Sequence, residues 1–219
     1  MFKKQTAGYH EGNNIKEVRN MEKTLKDSIK DRRSFYAIGK SKSVSDDEII
    51  EIVRHALTHT PSAFNSQSGR ILALLGEEHD KLWEDTKEIL KGIIPPDKFA
   101  PTEEKINSFK NGYGTLLYFE DQDTVRNLEQ QFPTYAQNFA GWSLQSSAML
   151  QYGIWMMLED AGLGASLQHY NPLIDEKVKS TWNIPEAWKL IAEMPFGGPT
   201  AEPGPKTFLP LDDRIKIFK

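Results

Sequence analysis

The chain has 219 residues, 38% hydrophobic and 26% charged, with a formal net charge of −4. That composition fits a globular protein with one well-buried core and offers no broad basic face for nucleic acid. It contains no cysteine, which excludes disulfides, Cys-ligated zinc, iron–sulfur clusters and thiol catalysis. No segment reaches about 18 unbroken apolar residues, the length a membrane span needs, and the opening MFKKQTAGYHEGNN lacks the apolar stretch of a secretory signal; the expected location is the cytoplasm.

Residues 1–20 are polar and aperiodic, and Met21 opens a helical pattern. Codons for Lys16-Glu17-Val18 can contain a bacterial ribosome-binding sequence. Two readings stand: translation starting at Met21 with residues 1–20 an upstream, non-native extension, or a native flexible tail. In both, residues 21–219 are expected to form a single domain.

MEKTLKDSIKDRRS places Leu25 and Ile29 at i, i+4 among charges and predicts a surface helix. SDDEIIEIVRHALTH is a second helix. Ser45 and Glu48 make a capping-box pattern, and Ile49, Ile52, Val53, Ala56 and Leu57 form one apolar stripe ended by Pro61. RILALLG reads as a buried strand, residues 77–92 as an amphipathic helix, and Thr102 as the N-cap of a short helix through Phe109. GTLLYFE is a strand and residues 122–132 a polar helix. A long helix is expected from Tyr135 to Ala161, kinked near Gly141 or Gly153 and stopped by Gly162 and Gly164. Its second half, AMLQYGIWMMLEDAG, is apolar on nearly all sides, which requires cover from the core or from a partner subunit. ASLQHY is predicted as a strand, PLIDEKVKSTWN as a helix and AWKLIAEMPFG as a strand. A Pro/Gly-rich connection, GGPTAEPGP, leads to a final edge strand RIKIFK. Without a regular βαβ repeat, the fold class is α+β: a mixed, mainly antiparallel sheet with helices on its faces.

No GxGxxG follows a strand, and no GxxxxGK[ST] or GxSxG is present, so dinucleotide-domain, P-loop and serine-hydrolase chemistry are unsupported. His55 and His59 are spaced i, i+4 but lack an HExxH context. They read as solvent-edge histidines, His169 reads as structural, and no metal is expected. Trp142, Trp155, Trp182 and Trp188 read as core residues.

Three stretches remain. Arg32, Arg33 and Ser34 combine two guanidiniums and a hydroxyl, a set suited to phosphate. THTPSAFNSQSGR gathers Ser62, Asn65, Ser66, Gln67 and Ser68, short neutral hydrogen-bonding side chains, between a helix and a strand. Near the C-terminus, GPKTFLPLDDR sets Lys206 behind a stiff proline-rich arm. Taken in order, Arg-Arg-Ser, Pro-Ser-Ala-x-Asn-x-Gln, a long apolar helix ending Gly-Leu-Gly, and a late basic residue resemble the FMN-dependent nitroreductase family. The subgroup it resembles holds the yeast fatty-acid-repression proteins and small bacterial homologues. The resemblance spans roughly Met21 to Lys219.

It implies a nitroreductase-like fold whose long central helix lies at a homodimer interface, with FMN bound there. Arg32, Arg33, Ser34 and Lys206 would hold the phosphate and nearby hydroxyls. Ser62, Asn65 and Gln67 would serve the neutral polar ring and ribityl chain. The turn through Leu167, Gln168 and His169 would run along the flavin edge, with a backbone N–H toward N5. NAD(P)H would reduce the flavin by hydride transfer in a ping-pong scheme, and nitroaromatics, quinones or similar flat acceptors would receive the electrons without a side-chain acid or base. The alternative implied by the relatives is a flavin-binding sensor in lipid signalling or stress response. The chain departs from the family pattern at Tyr36, where a basic residue is common, and at Ser68-Gly69, where Pro-Trp is common.

Overall fold

The computed structural model describes residues 23–219; the extension expected over residues 1–20 and the start at Met21 lie outside the described residues. Thr24 and Asp27 close a capping box on α1 (Leu25–Asp31), and Ser45 and Glu48 do the same for α2 (Asp46–His59). Between them, β1 (Ile38–Gly39) is a short strand that apolar patterning did not signal. Next come β2 (Gly69–Leu75), α3 (Glu77–Lys91), α4 (Ala100–Lys110), β3 (Gly114–Asp121) and α5 (Gln122–Gln131). The 25-residue α6 (Ala136–Asp160) is followed by β4 (Gly164–Ala165), α7 (Asp175–Trp182) and β5 (Trp188–Pro199).

The sheet order is β1-β5-β3-β2, with β4 also on β5. Every named strand pair is antiparallel, and the parallel component is a single bridge, Ser34 to Ala165. β3 is central and buried on both faces, which is why GTLLYFE is an unbroken apolar run instead of an alternating one. On one face Leu116 and Tyr118 join Ile49, Leu150, Ile154 and Leu158 of α2 and α6. On the other, Leu117 and Phe119 join Trp83, Ile106, Phe109 and Val178 of α3, α4 and α7. The result is an α+β fold with helices on both faces of an antiparallel sheet.

Several expectations are corrected. α4 begins at Ala100 with Phe99 at the N-cap position, and Thr102 lies inside it; Pro101, lacking an N–H, suits the first turn. α6 is one continuous helix across Gly141 and Gly153. It is stopped by Gly162 alone, at φ 77° where a side chain would be strained, while Gly164 belongs to β4. The strand expected over 165–170 stops pairing as a ladder after Ala165. The next position faces Pro195, which accepts from Ser166 N–H but has no N–H to return. Residues 214–219 form no strand; no sheet edge of the described residues pairs with them, and Ile215, Ile217 and Phe218 are exposed. Of the four tryptophans read as core, Trp155, Trp182 and Trp188 are half-buried and pack against the two core clusters, whereas Trp142 lies outside both; Trp83 is the fully buried one.

Candidate functional site

The Arg32–Ser34 segment follows α1 and is pinned to the sheet. Phe35 N–H donates to Ala165 O at 2.9 Å, and Ser34 bridges Ala165. Gly164 makes this approach possible, because a Cβ there would lie 2.8 Å from the Phe35 side chain. Arg32 lays its guanidinium 4.4 Å over the Trp155 ring of α6, and its buried Nε has no partner among the described residues. Arg33 Nη2 donates to Gly204 O at 2.6 Å, tying the segment to the C-terminal arm. Arg32, Arg33, Ser34 and Lys206 thereby line one cavity of about 520 Å³, together with Tyr36 and Glu202. A neighbouring cavity of about 840 Å³ shares Arg33 and Lys206 and adds Lys23 and Glu159. Lys23 is paired with Glu159 and with Asp31 at 3.3 Å. The positive groups left facing the first cavity fit an anion whose oxygens accept charge-assisted hydrogen bonds.

The Ser62–Ser68 stretch is a tight, strained loop. Phe64, Asn65 and Gln67 have φ of 55°, 52° and 48°, left-handed conformations that cost non-glycine residues on the order of 1–3 kcal/mol each and cluster at functional sites. The strain is held by local bonds. Ser62 Oγ accepts from Gln67 N–H at 2.9 Å, and Asn65 N–H donates to Ser62 O at 2.9 Å. Arg70 clamps the far side, donating to Gln67 O at 2.7 Å and to Asp121 Oδ2 at 2.8 Å. Phe64 packs on Phe132, Phe139 and Trp142, the last nearly parallel to it at 6.0 Å. Ser62 and Gln67 line a small cavity of about 40 Å³ with Gly69, Glu120, Ser146 and Leu150. Asn65 is exposed and lies outside that lining.

Glu120 is the residue sequence reasoning missed here. It is 1% exposed, accepts from buried Ser68 Oγ at 2.6 Å, and leaves Oε1 without a partner among the described residues. Burial pushes its carboxyl up to about 7, against the Ser68 hydrogen bond and Arg70. A charged residue closing the apolar run GTLLYFE has the pattern of a strand's ordinary polar end, so residue type gives no sign of its burial.

In the third stretch, Gln168 is buried and inward. Its N–H donates to Glu193 O at 2.7 Å and its amide to Ser166 Oγ at 3.1 Å. Leu167 is half-buried and His169 exposed. With Gln168 N–H committed, the backbone donor expected in 167–169 narrows to Leu167 or His169.

The structure thus brings Arg32, Arg33, Ser34 and Lys206 together, and Ser62 with Gln67, but in separate cavities of one chain. Helix α6 connects the two places: Ser146 lines the loop cavity and Trp155, nine residues on, supports Arg32, an axial separation of about 14 Å.

A strained polar loop and a cationic cleft are set on an antiparallel sheet between helical layers of an α+β protein. The Nitroreductase family profile matches residues 29–198, and the chain belongs to that family. It is 34% identical over 189 residues to HBN1 of Saccharomyces cerevisiae, covering 85% of this chain and 93% of that protein. It is 30% identical over 184 residues to the nitroreductase FRM2 of the same yeast, covering 83% and 91%. Among solved structures it resembles the nitroreductase CinD from Lactococcus lactis in complex with nicotinic acid, with TM-score 0.84 and 43% identity over 90% of this chain and 100% of that one.

Proposed function

We propose that the protein is an FMN-dependent oxidoreductase that passes electrons from NAD(P)H to nitroaromatics, quinones or similar flat acceptors. The observation that carries this reading is the convergence of Arg32, Arg33, Ser34 and Lys206, from opposite ends of the chain, on one cavity. Arg32 Nε, buried and unpartnered, is a donor in need of an acceptor, and a phosphate monoester supplies several. Ser62, Asn65 and Gln67 bring neutral amides and a hydroxyl suited to the uncharged remainder of the cofactor. When bound, FMN supplies the redox chemistry, taking hydride from the nicotinamide and giving electrons to the acceptor in two half-reactions at one pocket. The chain's own contribution is to hold the phosphate, to orient the ring with loop and backbone donors, and to exclude water. Solvent can protonate the products, so no side chain is assigned as catalytic acid or base.

The functional unit in this reading is a homodimer. Both binding clusters lie in one chain but line different cavities, and a two-fold copy would complete a composite site from the arginine cleft of one subunit and the loop of the other. The outer face of α6 exposes Leu144, Met149 and Tyr152, and the C-terminal arm exposes Phe208, Leu209 and Leu211, apolar surface that calls for cover. The visible spectrum of the purified protein tests the cofactor: a flavin spectrum bleached anaerobically by NADH or NADPH, and restored by a nitroaromatic or quinone, is expected. A colourless protein that takes up no added FMN refutes it, and bleaching without acceptor turnover favours a sensor. Light scattering that gives a monomer for the FMN-loaded protein refutes the dimer.

A further inference from the structure

The buried carboxyl of Glu120 lies beneath the polar loop, on the central strand β3. Its Oε2 is fixed by Ser68 Oγ at 2.6 Å, and Oε1 is free, 3.9 Å from where a Cβ on Gly69 would stand. Gly69 has no such atom, and the space opens into the cavity lined by Ser62, Gln67, Ser146 and Leu150. At about 40 Å³ this cavity takes one small group, about the volume of a single water or one oxygen of a larger ligand.

Among the described residues, Arg70 is the cation that favours the carboxylate here, and burial outweighs it. Arg70 on β2 is committed to Asp121, Gln67 O and Gly69 O. Asp121, the next residue on β3, repels a second negative charge. Lys189, opposite Glu120 on β5, is exposed. From α6 and the end of α2 come only Ser146, Leu150, Leu57 and Thr60. An isolated buried carboxylate is costly and a neutral acid much less so.

We propose that Glu120 stands as a neutral acid at the floor of the loop cavity and donates its Oε1 proton to a carbonyl or hydroxyl oxygen of the bound flavin, directly or through one water. Cofactor binding is then proton-linked, and it weakens once the acid ionises. This rests on the flavin reading. The folded-state titration near about 7, set chiefly by burial, puts the linkage in the working range.

The test measures riboflavin and FMN affinity by fluorescence titration of the apoprotein across pH. Riboflavin has no phosphate, so its own ionisation does not contribute. The wild type should lose about 25-fold in affinity between about pH 6.5 and 8.5 as the neutral fraction falls. Glu120→Gln, whose amide donates at every pH, should change less than about threefold. Should that variant not fold, Ser68→Ala decides: removing the bond that favours the carboxylate should move the wild-type midpoint to higher pH. A pH-flat wild type, a slope unchanged by Glu120→Gln, or an unmoved midpoint in Ser68→Ala overturns the role of Glu120 while leaving flavin binding intact. Failure of both flavins to bind at any pH overturns the flavin reading together with it.

Discussion

Replacing Glu193 by glutamine should flatten the alkaline side of the stability curve. Glu193 lies on β5 and is fully buried; Oε2 accepts from Tyr170 N–H at 2.9 Å and Oε1 has no partner among the described residues. Burial, reinforced by the nearby Asp175 carboxylate, pushes its acid up to about 8 from 4.5, against hydrogen bonds from backbone N–H groups. The folded state therefore holds one more proton than the unfolded chain between those two values. Stability from this group is complete below about 4.5 and is lost as pH rises to about 8, by about 1.4 kcal/mol per pH unit and about 5 kcal/mol in all. Between about pH 5.5 and 8.5 the part due to Glu193 is about 3 kcal/mol. Urea unfolding followed by tryptophan fluorescence at those two pH values measures it. The wild-type minus Glu193→Gln difference should shift toward the variant by that amount. Parallel curves would show that Glu193 does not carry the proton and that burial does not set its acidity.

On the acid side the sign reverses. His79 is buried, its ring bonded to Thr115 Oγ1 at 2.8 Å and Lys110 O at 3.2 Å, and burial lowers it from 6.5 to about 4. Its contribution, about 3 kcal/mol, is present above about 6.5 and lost as pH falls to about 4; NMR titration of the ring should show no protonation at pH 5. Arg33→Ala should weaken FMN about 10- to 100-fold, the loss of one charge-assisted phosphate contact, while leaving riboflavin affinity unchanged by fluorescence; equal losses for both would move the phosphate elsewhere. Gly197→Ala would set a Cβ 2.3 Å from Gly39 O. The backbone must shift to admit it, so a cost of about 3 kcal/mol or more is expected in thermal melts, and a neutral result would contradict the close packing of β5 on β1.

Elements whose information is local were legible in the sequence. The Ser45/Glu48 box, the stripe on α2 and the apolar run of β3 each follow from a few adjacent residues, and the fold class followed from their order. What escaped depends on distant partners. β1 is two residues long and exists because β5 offers an edge at Gly198 and Pro199. RIKIFK alternates as a strand should, yet finds no edge among the described residues. The cation cluster was readable from residue type, with Lys206 supplied by the resemblance. Trp155 under Arg32 and Glu120 beneath the loop were not. Trp155 is one tryptophan among five, and Glu120 has the pattern of a strand's ordinary polar end. The strain at Phe64, Asn65 and Gln67 was also hidden, because a left-handed backbone at non-glycine residues leaves no compositional trace.

The spacing on α6 fixes an angular register. From Ser146 to Trp155 the helix turns through roughly 900°, two and a half revolutions at 3.6 residues each, so the two side chains leave the axis on opposite sides. Deleting or inserting a single residue between them would swing one end by roughly 100° relative to the other and disengage either the loop cavity or the arginine support. Substitutions along this stretch are constrained one at a time by packing; its length is constrained as a whole, and a chain that gained or lost one residue there would have to rebuild both ends together.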